Sequence, residues 1–468
     1  MLHSERTLIK LLYILNTDKL KKVITPLYSE TGRPSINQPE IFRSFVAMSE
    51  LGMKLDEWLK KLENNAVLRA AIGVSKEDIP SSSSHYDFIN RIIKMDERPK
   101  LRLKKRKPSN KLGKNEKLPN KSDGIVKRFV DKILCGRRFT MRPERHLQEI
   151  FANVCVGTSR ELGLIPDNLD ASGDGTCIET GASHYGRKIC ECKGFRCDCP
   201  RRFSDPNATW GRDSHNDCWF YGYTGYFIST YNKDLKTDLP LYLRLVCGNR
   251  HDSVSAVVAL AEFRDLYPDL NIETFIHDSA ADNYATYELL HNWNINAVIA
   301  LNNRSKGNFS YPPALSIDNN GTPVCQAGHK MIYNGFCSDR CRFKWRCPRV
   351  LGKAASSDIC STCSKSEYGR VIYTKPDWDL RLFTRIPRGS LHFKSLFKQP
   401  TAAERINYRI LNHYNLQNTH SRRKKRISFF ATLAAINVHL DAWISLCHAQ
   451  IASLFNAIFH FYFSRSLF

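Results

Sequence analysis

The stretch that decides the fold is Ile272-Glu273-Thr274-Phe275-Ile276-His277-Asp278, a short apolar run that ends at an acid. A run of this length with β-branched and aromatic residues predicts a buried strand. The segment around Asp174 predicts a first strand. The runs between and beyond them predict strands at 219–228 and 239–246, helices at 254–263 and 284–293, and a strand at 296–301. The chain therefore has an α/β order of three strands, helix, strand, helix and strand.

Three acids stand at informative places in this order. Asp174 lies on the first strand, Asp278 closes the fourth, and Glu404 opens a helical pattern that continues to Arg409. Mg²⁺ prefers oxygen ligands, and two such ions about 4 Å apart can stabilise the attacking and leaving oxygens of a phosphoryl transfer. If the three carboxylates converge, they predict a site for two Mg²⁺ ions, with Mn²⁺ as a substitute.

Composition favours a polyanionic partner. The 468 residues include 70 Lys or Arg against 46 Asp or Glu, for a net charge of +24, which favours nucleic acid over a membrane as the partner. The first residues lack a secretory signal pattern, so we expect a cytoplasmic protein, nucleoid-associated if bacterial. Polar residues interrupt the apolar stretch 427–463, which predicts a buried terminal helix and no membrane partner.

Changes in composition divide the chain into five segments. Helical periodicity is marked near the N-terminus and extends over 47–62, whereas Lys, Arg, Pro and Asn dominate the following segment. The predicted units are a helical N-terminal domain at 1–95, a basic linker at 96–150, the first part of an α/β core at 151–302, a Cys-rich insertion at 303–390 and C-terminal helices completing the core at 391–468.

Ten of the sixteen cysteines fall into two groups that could bind zinc, and the other six are scattered along the chain. In the later group, Cys360 and Cys363 have Cys-x-x-Cys spacing, and Cys341 and Cys347 could complete a tetrahedral structural site. The earlier group lies in a loop at 188–202 and has tighter Cys-x-Cys spacing. We favour zinc at the later group, and free thiols remain the alternative for both groups.

The sequence motifs around the three acids resemble those of insertion-sequence DDE transposases. Asp174-Gly175-Thr176 is similar to the motif of the first aspartate, and 277–283 to that of the second. Ala402-Ala403-Glu404-Arg405-Ile406-Asn407 is similar to the motif of the glutamate. The resemblance implies a ribonuclease-H-like catalytic core, a mixed sheet flanked by helices, preceded by an all-α domain. Phe397, Pro400 and Leu411 depart from one large branch of that family, so the subgroup stays open.

The resemblance implies that the N-terminal domain at 1–95 binds the terminal inverted repeats of double-stranded DNA. It also implies Mg-dependent cutting of these repeats and joining of the ends to target DNA by a homodimer. Its catalytic residues would be Asp174, Asp278 and Glu404, with Asp170, Asp213 and Asp282 as lower-ranked rivals. The basic residues expected to contact DNA are Arg405, Arg409, Arg422, Arg423, Lys424 and Lys425. The alternative function is a catalytically inactive or domesticated DNA-binding protein derived from such an enzyme.

Overall fold

A computed structural model describes residues 3–15, 17–29, 31, 37–95, 100–102, 123–137, 142–193, 197, 199–213, 216–302, 312, 315–398, 401–417 and 421–464. It is a mixed α/β structure with a mixed sheet flanked by helices. The centre of the predicted basic linker, 103–122, lies outside the described residues.

The N-terminal segment is helical, as its periodicity predicts. Its helices are α1 (His3–Ile14), α2 (Thr17–Ile24), α3 (Gln38–Glu50), α4 (Leu55–Asn64), α5 (Ala66–Ile72) and α6 (Ser82–Ile92), with a 3₁₀ turn at Thr25–Leu27. The predicted helix over 47–62 is wrong, because the chain breaks between α3 and α4. Gly52 has a φ of +58° there, a left-handed conformation that suits glycine and ends a helix.

The segment from 96 to 150 is not a linker throughout. It contains β1 (Lys100–Arg102), α7 (Ile125–Leu134) and α8 (Arg145–Phe151), and α8 continues through a π-helical turn at Ala152–Val156 into α9 (Gly157–Glu161). Val126 and Val130 of α7 are buried against residues such as Val257 and Leu289. An apolar face of this kind needs a partner, so this part of the predicted linker is folded onto the core.

The central segment supplies the sheet and two of its helices. The elements are β2 (Asn168–Glu179), β3 (Arg187–Lys188), β4 (Arg201–Phe203), β5 (Thr209–Asp213), β6 (Cys218–Asn232), β7 (Thr237–Cys247), α10 (Asp252–Leu266), β8 (Asn271–His277), α11 (Tyr284–Asn292) and β9 (Asn296–Ile299). A 3₁₀ turn at Ser279–Ala281 follows β8. The predicted order is confirmed for β2, β6, β7, α10, β8, α11 and β9, and the structure adds three short strands, β3, β4 and β5.

The main sheet has the spatial order β7-β6-β2-β8-β9, and β5 pairs with the beginning of β6. β2, β6 and β7 are antiparallel neighbours, whereas β2, β8 and β9 run parallel. Numbered by their order in the chain, these five strands lie as 3-2-1-4-5. The C-terminal ends of β2 and β8 consequently meet at one edge of the sheet, which is where polar side chains of parallel strands gather.

The predicted Cys-rich insertion is a small folded unit. It contains β10 (Ser316–Ile317), β11 (Pro323–Val324), β12 (Ile332–Cys337), β13 (Arg342–Arg346), α12 (Asp358–Cys363), β14 (Val371–Thr374) and a 3₁₀ turn at Pro376–Trp378. Met331, Phe343, Trp345, Leu382 and Phe383 form its apolar core. The insertion therefore has an apolar core of its own.

The C-terminal helices are α13 (Leu391–Phe397), α14 (Thr401–Tyr408), which continues into a π-helical turn at Arg409–His413, and α15 (Lys424–Ser464). α15 is long and apolar enough over 424–449 to cross a membrane by composition, but 83% of its most apolar window is buried inside the protein. Phe429 and Phe45 meet edge to face at 4.7 Å between ring centres. α15 therefore joins the N-terminal helices and the sheet into one continuous core.

Candidate functional site

Two of the predicted acids lie together at the C-terminal edge of the sheet. Ser172 of β2 pairs with Ile276 of the parallel neighbour β8. Asp174 and Asp278 each lie two residues further along their strands. The structure thus brings these two side chains to the same level of the sheet.

A third acid, Asp252 at the start of α10, joins them. Its carboxylate lies against the backbone of β2: a Cβ on Gly175 would stand only 2.4 Å from Asp252 Oδ1. The absence of a side chain at Gly175 is what allows this approach. Asp252 therefore belongs to the same cluster as Asp174 and Asp278.

The buried residue His277 links Asp278 to Tyr226 through its two ring nitrogens. Its Nδ1 is 2.7 Å from Asp278 Oδ1, and its Nε2 is 3.0 Å from the hydroxyl of Tyr226. The backbone N–H of Ala280 also donates to Asp278 Oδ1, at 3.0 Å. Because these contacts fall on one oxygen of Asp278, its Oδ2 is directed away from them, and the Asp278 side chain is 62% exposed.

The pKa values follow from this crowding of charge. Burial raises the pKa of Asp174 to about 7; the charge of His277 opposes that rise, and Asp252 and Asp278 add to it. Burial likewise raises the pKa of Asp252. Burial alone would lower the pKa of His277, but its hydrogen bond to Asp278 and the charges of the three acids raise it. Burial would raise the pKa of Asp278, but the hydrogen bond and charge of His277 lower it. A bound cation would relieve the repulsion among these acids.

Helix α14 packs across β2, β6 and β7 and supplies the fourth member of the site. Asn407 is buried and donates from Nδ2 to Asp174 Oδ2 at 2.7 Å. Glu404 is exposed and lies three residues earlier, so it projects from the same side of the helix as Asn407. The residue that contacts Asp174 directly is Asn407, and Glu404 is an exposed residue about one turn earlier on the same helix.

The residues predicted to contact DNA have protein partners. Three of the six pair with carboxylates: Arg405 with Asp238 at 2.8 Å, Arg409 with Asp441 at 2.6 Å and Lys424 with Glu144 at 2.6 Å. Just before α15, Arg422 Nε donates to Gly181 O and the backbone N–H of Arg423 donates to Asp205. In the first turn of α15, Lys425 Nζ donates to Asn90 Oδ1. Arg405 and Arg409 therefore form salt bridges within the protein.

The rival acids have other surroundings. Asp282 is buried in an ion pair with Arg381 at 2.7 Å and accepts from the hydroxyl of Tyr287. Asp213 accepts from Asn216 in the turn after β5. Asp170 lies on β2 four residues before Asp174. Asp282 therefore stabilises the fold, and the cluster is formed by Asp174, Asp252 and Asp278.

The cysteines that lie close together in the structure are those of the earlier group, and the prediction favoured the later group. In the part of the chain that the structure describes, the four thiols of Cys190, Cys192, Cys197 and Cys199 all lie within 4.8 Å of one another and could hold a metal ion such as zinc. Cys341, Cys347, Cys360 and Cys363 form no such group among those residues. The preference for the later group is wrong, because an apolar core already stabilises that unit and its cysteines are distributed over a hairpin turn, a strand end and α12.

Sequence reasoning missed the roles of Asp252, His277 and Asn407. His277 and Asn407 lie inside quoted motifs, and their places beside Asp278 and one helical turn after Glu404 could have identified them. Asp252 carries no comparable signal, since it reaches the site only through the packing of α10 against β2.

A scan against models of known protein families and a search among curated proteins both find no match for this chain.

Proposed function

We propose that this chain is the DNA transposase of an insertion sequence, with a ribonuclease-H-like catalytic core that cuts element ends and joins them to target DNA by Mg-dependent phosphoryl transfer. The observation that carries the proposal is the convergence of Asp174 and Asp278 on adjacent parallel strands of a 3-2-1-4-5 sheet. The sequence motifs around Asp174, Asp278 and Glu404 support the same proposal.

The residues fit a divalent cation. Asp174, Asp252 and Asp278 offer carboxylate oxygens in a crowded, partly buried cluster, and hard cations such as Mg²⁺ prefer such ligands. Glu404 would complete the set from α14. When bound, Mg²⁺ neutralises charge on a reacting phosphate and favours ionisation of an attacking hydroxyl or water.

The protein's own side chains hold these ligands in place. Asn407 fixes Asp174 Oδ2 by its hydrogen bond. His277 and the Ala280 N–H occupy Asp278 Oδ1, which leaves Oδ2 directed outward. Such orientation of ligands by their neighbours accounts for much of the function of a metal site. Cleavage and strand transfer would use this single site, with a homodimer holding two terminal inverted repeats.

The proposal is tested with purified protein, Mg²⁺ and a labelled duplex that carries the element's own terminal repeat. We expect the wild type to produce 3′-end nicks and joined products, and Asp174→Asn and Glu404→Gln to bind the duplex without cutting it. Asp234→Asn, an exposed acid in the turn between β6 and β7, is the matched control and should cut normally.

The outcomes separate the candidate functions. Nicks without joined products would indicate another nuclease with the same core. Tight binding without any cut by the wild type would support the inactive DNA-binding protein. A comparison of Glu404→Gln with Asp252→Asn shows which acid is the third ligand, because only loss of a ligand should abolish cutting while leaving DNA affinity within about twofold.

A further inference from the structure

Two short strands in the connection between β2 and β5 join β1 to form a small β-ribbon that the proposed reaction does not use. Here "the ribbon" means β1, β4 and β3, which pair antiparallel in that order, together with the tip 189–200 that joins β3 to β4. The strands of the ribbon contain Lys100-Leu101-Arg102, Arg187-Lys188 and Arg201-Arg202-Phe203. Six of these eight residues are basic.

The register places like charges opposite one another. Arg201 of β4 pairs with Lys188 of β3, and Arg202 of β4 pairs with Arg187 of β3. Opposed like charges destabilise a strand pair, and short strands contribute little stability of their own. A ligand that holds the tip together and an anion on the surface would each stabilise the ribbon.

The tip offers metal ligands instead of an apolar core. None of its described residues is buried, and its cysteines are not disulfide-bonded. Cys190 Sγ is 3.4 Å from Cys197 Sγ, and Cys192 Sγ is 3.5 Å from Cys199 Sγ. Four sulfurs around Zn²⁺ at 2.3 Å are about 3.8 Å apart in a regular tetrahedron. The thiols already lie close to this arrangement.

We propose that Cys190, Cys192, Cys197 and Cys199 bind one structural Zn²⁺, and that the zinc-closed ribbon grips phosphates of the duplex whose scissile bond lies at the acid cluster. The zinc site stands independently of the proposed function, whereas the DNA contact rests on it. Four thiolates leave no open coordination position, so the ion stabilises the ribbon and takes no part in catalysis.

The base of the ribbon is fixed relative to the acids. Asp205, just after β4, accepts from the hydroxyls of Thr180 and Tyr223. Thr180 lies six residues beyond Asp174 along the extension of β2, a distance of about 20 Å at 3.3 Å per residue. A duplex advances 3.4 Å per base pair, so the ribbon would meet the backbone roughly six base pairs from the scissile phosphate.

The first test measures metal in the purified full chain. We expect one zinc per chain, retained against a weak chelator, and replacement by Co²⁺ should give the absorption of tetrahedral thiolate-bound cobalt. Cys190→Ser/Cys197→Ser should lose the metal, whereas Cys341→Ser/Cys347→Ser, the matched control in the insertion, should keep it. Cys197→His tests folding, since it retains a ligand and should retain zinc. Absence of zinc from the wild type, or its retention by Cys190→Ser/Cys197→Ser, overturns the site.

The second test measures duplex binding against salt concentration. Arg187→Gln/Arg202→Gln removes two exposed charges and should reduce the slope of log K against log salt by about 1.8, at about 0.9 per phosphate contact. Lys233→Gln, an exposed charge in the β6–β7 turn at the opposite end of the sheet, should leave the slope unchanged. Ethylation of a phosphate about six base pairs from the cut should reduce duplex binding by the wild type and by Lys233→Gln. In Arg187→Gln/Arg202→Gln this reduction should be smaller.

The outcomes distinguish the two proposals. Zinc binding with the expected change of slope in a protein that cuts no DNA supports the ribbon and contradicts the enzyme. If the protein cuts DNA but the salt dependence of duplex binding changes neither with zinc removal nor in Arg187→Gln/Arg202→Gln, the proposed enzymatic function is supported. The proposed phosphate binding by the ribbon is then overturned.

Discussion

Replacement of Asp174 by asparagine should stabilise the metal-free protein while it abolishes cutting. In the absence of a cation, the Asp174 carboxylate is crowded by Asp252 and Asp278 and largely removed from water, so its charge opposes folding. Asparagine keeps the shape, and its carbonyl can still accept the hydrogen bond that Asn407 donates at 2.7 Å. The change removes the charge and little else.

The magnitude follows from the pKa. The pKa of Asp174 rises from 3.8 to about 7 in the folded protein, and each pKa unit corresponds to about 1.4 kcal/mol, which gives about 4 kcal/mol. Because the side chain is partly exposed, solvent screening reduces this gain to about 2–4 kcal/mol. An effect of this size is a large fraction of the stability of a typical domain.

The sign of the pH dependence is fixed by the direction of the shift. A carboxyl whose folded pKa is raised contributes stability below its unfolded pKa near 4, and this contribution is lost as the pH rises through the folded pKa near 7. The advantage of Asp174→Asn should therefore be small at pH 4, grow between pH 4 and 7, and stay constant above pH 7.

The assay is urea unfolding of wild type, Asp174→Asn and Asp234→Asn in a metal-chelating buffer at several pH values, followed by repetition with Mg²⁺. Mg²⁺ at a hundred times its Kd should raise the free energy of unfolding of the wild type by about 2.7 kcal/mol, and it should not change that of Asp174→Asn. If Asp174→Asn is less stable than the wild type at pH 8 in the chelating buffer, the description of the cluster is refuted.

Three further changes test other parts of the fold. Burial and the charge of Asp441 raise the pKa of Glu50 to about 8, so Glu50→Gln should gain stability over the wild type as pH rises from about 4.5 to 8, measured by thermal unfolding. A Cβ at Gly222 would lie 2.1 Å from the backbone oxygen of Ile178, so Gly222→Ala should cost about 3 kcal/mol in urea unfolding; an unchanged midpoint would contradict this. Burial lowers the pKa of His439 to about 4, so the wild type should lose about 3 kcal/mol as pH falls from 6.5 to 4, and His439→Gln should not show this loss.

The elements of the sheet were predictable because their signals are local. An apolar run that ends at Asp278 identifies a buried strand, and alternating Leu241, Leu243 and Leu245 identify another. Both strands appear where they were predicted, as β8 and β7. Helix ends were less predictable: the apolar rhythm of α3 continues into α4 without a break, and only the left-handed turn at Gly52 separates them.

The charged and metal-binding side chains were harder to predict because their partners are distant in the chain. Arg405 and Asp238 are 167 residues apart in the sequence, yet they form a two-point ion pair. Spacing alone also could not rank the cysteine groups. Cys-x-x-Cys spacing at Cys360 indicates zinc only if other thiols come close, and the packing of an apolar core decides whether they do.

Two glycines in the first-strand motif show how a sequence can encode a site indirectly. A Cβ on Gly173 would lie 2.2 Å from the hydroxyl of Tyr226, the residue that contacts His277, and a Cβ on Gly175 would displace Asp252. The residues on either side of Asp174 are glycines because Tyr226 packs against the backbone at Gly173 and Asp252 packs against the backbone at Gly175. Gly-Asp-Gly on a strand, where glycine is otherwise unfavourable, therefore indicates a crowded site around the aspartate. Asp252 was identified by no motif, yet the missing side chain at Gly175 leaves the space that its carboxylate occupies.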